Sequence, residues 1–175
     1  MKRGSLSTRR SLLTGYVARY VGSRHLHGAA YGETMSYDLA VFDPRAELRD
    51  RETFLAWFKE RTQWAQGSDY NDPADATPAL RAWLLEMIQT FPAMNGPLAY
   101  RGEDDDVLEK ATDYSIAPDL IYVAFAWSQA EDGADACINL AEKYGVGFFN
   151  AGGEGEAFFP DEDGKLTFVH GGSQG

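Results

Sequence analysis

The sequence predicts an α+β fold: a mostly antiparallel sheet of about five strands with three helices packed on one face. Three observations lead there. Short apolar runs rich in β-branched and aromatic residues are closed by Asp-Pro, Pro-Asp and Asp-Gly turns. Three longer stretches carry apolar residues at spacings of three and four. The resulting order, β-α-α-β-β-α-β-β, contains no internal repeat.

Tyr37 to Phe42 reads as the first strand, and Asp43-Pro44 as its exit turn. A helix is expected over Arg51–Trp64, where Phe54, Leu55, Trp57, Phe58, Arg61 and Trp64 form a strongly aromatic stripe. Gly67–Asp75 is a polar loop. Thr77-Pro78 supplies an N-cap and a first-turn proline. The second helix then buries Leu80, Trp83, Leu84, Met87, Ile88 and Phe91 and stops before Pro92. Gly102–Asp106 is an acidic loop without an apolar residue.

Ser115–Ala117 and Leu120–Trp127 are strands joined by Pro118-Asp119. The longer one alternates large Ile121, Val123, Phe125 and Trp127 with Tyr122, Ala124 and Ala126. That pattern suggests a central strand covered on both faces, or a helix lying close to the alanines. Ser128 with Glu131 forms a capping box for the third helix, and Gly145 is its left-handed stop. Val146–Phe149, Ala157–Phe159 and Leu166–Val169 complete the sheet, the last two around an Asp163-Gly164 hairpin turn. Residues 171–175 are expected to fray.

Charge divides the chain. Of its 175 residues, the first 34 hold Lys2, Arg3, Arg9, Arg10, Arg19 and Arg24 against Glu33, or +5. The other 141 hold 26 acids and 10 bases, or −16, which the overall −11 conceals. Residues 35–170 therefore read as one acidic domain behind a basic leader. Thr8–Leu13 resembles the start of a twin-arginine export signal, but Arg19, Arg24, His25 and His27 interrupt the apolar region such a signal needs. A transit peptide, rich in Arg and Ser and poor in acids, is a second reading. A flexible tail before a natural start at Met35 is favoured, because the segment lacks apolar periodicity. No run approaches the ~20 apolar residues of a membrane span. One cysteine, Cys137, forbids an intrachain disulfide and fits a reducing, cytoplasmic setting.

No residue pattern compels a chemistry, and the sequence assigns no catalytic residue, no metal and no cofactor. His170 is the acidic domain's one histidine, and His25-x-His27 lacks further ligands. Cys137 falls on an apolar helical face, as a buried, inert thiol does. Asp161–Gly164 lacks the alternating ligands and closing Glu of a calcium loop. The glycines at 145, 147, 152, 153 and 155 match no phosphate loop. Trp64 stands apart from the other tryptophans because it ends a helix beside Asp69, Tyr70, Asn71 and Asp72, where an aromatic can anchor an interface.

Met35–Pro44, Asp69–Pro73, Thr77–Trp83, Phe91–Pro97, Thr112–Ile116 and Lys143–Phe149 together resemble a family of small uncharacterised bacterial proteins that begin with an MSYDL-like strand. The resemblance covers roughly 35–160 and implies a start at Met35. It supplies no catalytic residues.

A charge of −16 on this domain exceeds the ~2–8 that solubility asks of a small domain. Such a field repels nucleic acid and anionic membranes and attracts basic proteins. The expected function is a non-enzymatic binding protein for a basic partner, an immunity-type or inhibitory protein being its specific form. The binding residues are Trp64, Asp69, Tyr70, Asp72, Glu103, Asp104, Asp105 and Asp106. The alternative is a metal-assisted hydrolase using carboxylates of the 69–72 and 103–106 loops.

Overall fold

A computed structural model describes residues 36–64 and 69–172. The fold is α+β, on one six-stranded sheet in the order β2-β3-β1-β4-β5-β6 with every neighbouring pair antiparallel. The strands are β1 (Ser36–Phe42), β2 (Asp113–Ala117), β3 (Leu120–Ala126), β4 (Gly147–Phe149), β5 (Ala157–Pro160) and β6 (Leu166–His170). The helices are α1 (Arg51–Arg61), α2 (Pro78–Met87), the single-turn α3 (Asp105–Leu108) and α4 (Ala130–Tyr144). β3 and β4 flank β1, and α4 carries the chain between them. The leader and Met35 lie outside the described residues, as do 173–175. Gly172 donates its N–H to Glu154 O.

Side-chain alternation along β1 divides the core. Tyr37, Leu39 and Val41 face Leu80, Trp83, Leu84 and Met87 of α2 and Ala134, Cys137, Ile138 and Ala141 of α4. Ala40 and Phe42 face the other way, toward Phe54 and Trp57 of α1, with Leu48, Leu120, Phe149 and Phe159. Two helices thus share one face and α1 covers the opposite one, a correction to the expected placement of all three together. The cause is in β1 itself. Phe42 meets Phe54 at 5.2 Å, Trp57 at 5.8 Å and Phe159 at 5.0 Å, all edge to face, so the aromatic stripe of α1 has its partners on that side.

Several ends also differ from expectation. α1 stops at Arg61, where Thr62 Oγ1 donates to Phe58 O at 2.8 Å, and Trp64 lies beyond it with a positive φ of 41°. α2 ends at Met87, and a turn completes the path to Phe91. Pro78 does open α2, but the Thr77 hydroxyl donates to Asp43 Oδ1 instead of capping the helix. The Ser128/Glu131 box does not form: Trp127–Gln129 is a 3₁₀ turn, and Gln129 is the N-cap without a side-chain bond. Gly145 terminates α4 in the left-handed region at φ 66°, as expected. Trp83 Nε1 donates to Cys137 O at 3.3 Å, pinning α2 to α4.

Candidate functional site

The two acidic segments are both tied to the β2 side of the sheet, one packed on the strand and the other leading into it. Ile116 N–H donates to Tyr70 O at 2.7 Å, which lays residues 69–71 against β2. Thr112, just before β2, exchanges bonds with Pro92 O at 2.8 Å and Met94 N at 3.0 Å. Gly96 packs so closely that an added Cβ would sit 2.7 Å from Asn71 Cβ, joining the 92–97 turn to the 69–72 loop. α3, holding Asp105 and Asp106, ends four residues before Thr112. Strand rise of ~3.4 Å per residue places Tyr70 and Thr112 about 14 Å apart along this edge.

The expected acids are all exposed, and several have local structural work. Asp69 Oδ1 accepts from Asn71 N and Nδ2 at 3.0 and 3.1 Å. Asp72 Oδ1 accepts from Ala74 N at 2.8 Å, capping a 3₁₀ turn. Asp104 Oδ1 accepts from Asp106 N at 3.0 Å and caps α3. The 102–106 stretch is therefore not a plain loop: Asp104 caps a helical turn whose start favours Asp105 and Asp106. Glu103, Asp105 and Asp106 point their charge at solvent with no side-chain bond among the described residues. Among the described residues no three His, Cys, Asp or Glu side chains gather as a metal site.

Trp64 and Tyr70 are half-buried and in edge-to-face contact at 4.8 Å. Trp64 also meets Tyr122 of β3 at 6.3 Å. Tyr122 leads to a feature that sequence reasoning missed. Strand register aligns Asp113, Ala124 and Asp38 in one row on the α1 side of the sheet. Ser36 and Ala126 form the next pair outward. At these positions the opposite face is sealed, with Tyr37, Val123 and Phe125 all 0 % exposed. On the α1 side Ala126 is exposed and Asp38, Ala124 and Asp113 are half-buried. α1 packs over Ala40 and Phe42, further along the same face.

On this face the Tyr122 hydroxyl faces the Asp38 carboxylate. Burial, then the Asp38 charge and hydrogen bond, push the hydroxyl's pKa well up. Asp38 Oδ1 is closed off from solvent. Asp38 O accepts from Gly152 N at 2.6 Å, which ties the 150–155 loop to β1. The legible signal was an acid set inside the apolar run of β1.

A second unanticipated cluster centres on Asp119 at the β2–β3 turn. It accepts from Arg61 Nε at 2.6 Å, Arg45 Nη2 at 3.0 Å and Trp57 Nε1 at 3.2 Å. Burial works to raise its pKa, but the Arg61 and Trp57 hydrogen bonds and the two guanidinium charges outweigh it and hold the value below 3.8. Neighbouring Asp43 shifts the opposite way: burial raises it, against the Thr77 hydrogen bond, and the Asp119 charge adds to the rise. This cluster ties α1, the β1 exit and the central hairpin together. Its groups bond one another, which makes it a structural clasp.

No described helix is long and apolar enough to cross a membrane. Compared with known proteins, the chain matches no family model, no curated protein and no solved structure.

Proposed function

We propose that the protein is a non-enzymatic binding module that docks on a basic protein through the acidic margin beside β2, in the manner of an immunity-type or inhibitory protein. The observation that carries this is that the 69–72 loop lies against β2, through the Ile116 N–H to Tyr70 O bond, while the exposed 103–106 segment leads through α3 into the start of the same strand. Exposed carboxylates on a common margin sum their fields, and a basic partner is steered toward them. Trp64 and Tyr70 add the half-buried aromatic surface that interface anchors use. The geometry favours this over a metal-assisted hydrolase. Asp69, Asp72 and Asp104 each use a carboxylate oxygen on a nearby backbone N–H instead of converging on a common point. A reducing, cytoplasmic setting fits the buried lone thiol.

The test is binding of an oligo-arginine peptide to the full chain across a salt series. Affinity should fall steeply between low and physiological ionic strength, as screening shortens the reach of exposed charge to ~8 Å. Affinity indifferent to salt contradicts the proposal.

A further inference from the structure

We propose that Asn95 is a site of spontaneous covalent modification, where the side-chain amide leaves as ammonia and an aspartate or isoaspartate remains on the turn beside β2. Asn95-Gly96 is the one Asn-Gly pair in the chain. The inference is independent of the docking reading and needs no partner protein.

The turn that carries the pair is anchored at both ends and bare between them. Met94 N–H donates to Thr112 O at 3.0 Å, and Tyr100 N–H donates to Ala93 O at 2.9 Å. Asn95, between these anchors, is exposed. Gly96 O accepts from Ala99 N at 3.3 Å, but the Gly96 N–H donates to no group among the described residues. A backbone nitrogen therefore stands next to the Asn95 amide with no protein hydrogen bond to break before it reacts. The fold also keeps that nitrogen unshielded. Gly96 sits at φ 75°, and an added Cβ would fall 2.7 Å from Asn71 Cβ. Packing against the 69–72 loop thus demands glycine at 96, and the missing side chain leaves Asn95 open to attack.

The chemistry balances with water as the one co-reactant. Gly96 N gives its proton to solvent base and bonds to Asn95 Cγ. The Cγ–Nδ2 bond breaks, and Nδ2 takes a proton and departs as ammonia, leaving a cyclic imide. Water attack at Cγ releases Gly96 N from the side chain and gives aspartate. Water attack at the backbone carbonyl carbon of residue 95 gives isoaspartate, with the chain routed through Cβ and Cγ. The other asparagines lack this combination. Asn71 precedes Asp72, whose side chain crowds the nitrogen. Asn139 lies inside α4, where the next N–H belongs to the helical ladder. Asn150 is buried, and its Nδ2 donates to Glu156 Oε2 at 3.1 Å. The site also has a built-in consequence. Asn95 Nδ2 donates to Asp113 Oδ1 at 2.9 Å, an exposed bond that water readily replaces. Either product sets a carboxylate against Asp113, so like charges face one another where a hydrogen bond held the turn.

The experiment incubates the full chain in mildly alkaline buffer and follows every asparagine peptide by mass spectrometry, with enzymatic methylation of isoaspartate as a second readout. Product should accumulate at Asn95 roughly tenfold or more faster than at Asn71, Asn139 or Asn150, a difference of one decade or more in rate constant. The native chain should react within severalfold of the urea-unfolded chain at the same pH, because the fold leaves the pair exposed. Asn95→Gln, which would need a larger ring, should release almost no ammonia on this timescale. Reaction at Asn95 no faster than at Asn71, strong protection of Asn95 in the native chain, or undiminished ammonia release from Asn95→Gln would overturn the site. Asn95→Asp supplies the aspartate product directly. Its amide exchange at Met94 and Thr112 should be severalfold faster than in the wild type, with the amides of β1 and β3 unchanged as the check on the fold. Exchange at Met94 and Thr112 equal to the wild type would overturn the loosening of the turn.

Discussion

Arg61 grips Asp119 at two points, Nε on Oδ1 at 2.6 Å and Nη2 on Oδ2 at 3.2 Å, and so fastens the end of α1 to the tip of the central hairpin. Trp57 Nε1 and Arg45 Nη2 share Oδ2 with it. Asp119 is 14 % exposed, so its removal strands three donor groups in a partly dry place. Asp119→Ala should cost about 2–4 kcal/mol, between the loss of a charged hydrogen bond and the breaking of a buried pair. Urea denaturation at pH 7 measures it. A loss within experimental error of zero would show that the clasp contributes nothing.

The same cluster sets the acid response. Asp119 is held below 3.8, so its stabilisation is whole above about pH 4 and drains away as pH falls through its lowered value. Asp43 is raised above 3.8, so the folded state holds that proton more tightly and loses stability as pH rises through the raised value. Denaturation midpoints followed from pH 7 to 3 should therefore show a flatter acid limb in Asp119→Asn. Asp43→Asn should lose the decline that accompanies Asp43 ionisation. Curves parallel to wild type for both variants would contradict the assignment.

Gly147 is confined by contact. A Cβ there would fall 2.3 Å from Phe42 Cζ, and Phe42 is fully buried among Phe54, Trp57 and Phe159. The ring has nowhere to retreat. Gly147→Ala should destabilise by roughly 1–3 kcal/mol through overpacking. Gly164→Ala, at φ 75° on the β5–β6 turn with only Glu142 O at 3.5 Å, should be costly through backbone strain alone. A Gly147→Ala chain as stable as wild type would refute the packing described around Phe42.

Cys137 is fully buried on α4, and burial pushes its thiol well above 9.0. A thiol reagent should label the native chain only at the rate of opening, and immediately in denaturant. Fast labelling of the native chain would show that α4 does not seal against the sheet.

The strands were legible because each is a short apolar run with its own turn chemistry. Leu120–Ala126 is such a run behind Pro118-Asp119, and Leu166–His170 follows Asp163-Gly164. The side on which α1 packs was harder, since Phe42 and Leu39 are equally apolar and only pairing in three dimensions tells which aromatic stripe each meets. The acidic segments were legible as charge, but the placement of the 69–72 loop on β2 was not: it depends on the Tyr70–Ile116 bond, which no local pattern announces. Two signals lay in plain sight. Arg61 occupied the aromatic stripe of α1, a cation where an apolar residue belongs, and it is the residue that takes Asp119. Asp38 sat within the apolar run of β1, and its carboxylate faces the Tyr122 hydroxyl on the sheet.

The central claim is that binding is localised to the β2 margin, and a paired charge-neutralisation series tests it most directly. Glu103→Gln with Asp105→Asn and Asp106→Asn removes exposed charge that bonds nothing in the fold. Glu131→Gln with Asp132→Asn removes exposed charge from the start of α4. With oligo-arginine affinity measured at one fixed low ionic strength, the margin series should weaken binding by at least roughly tenfold, with the α4 series nearly silent. Equal losses per charge removed at the two places would mean that overall charge attracts the peptide, and that the margin is no site.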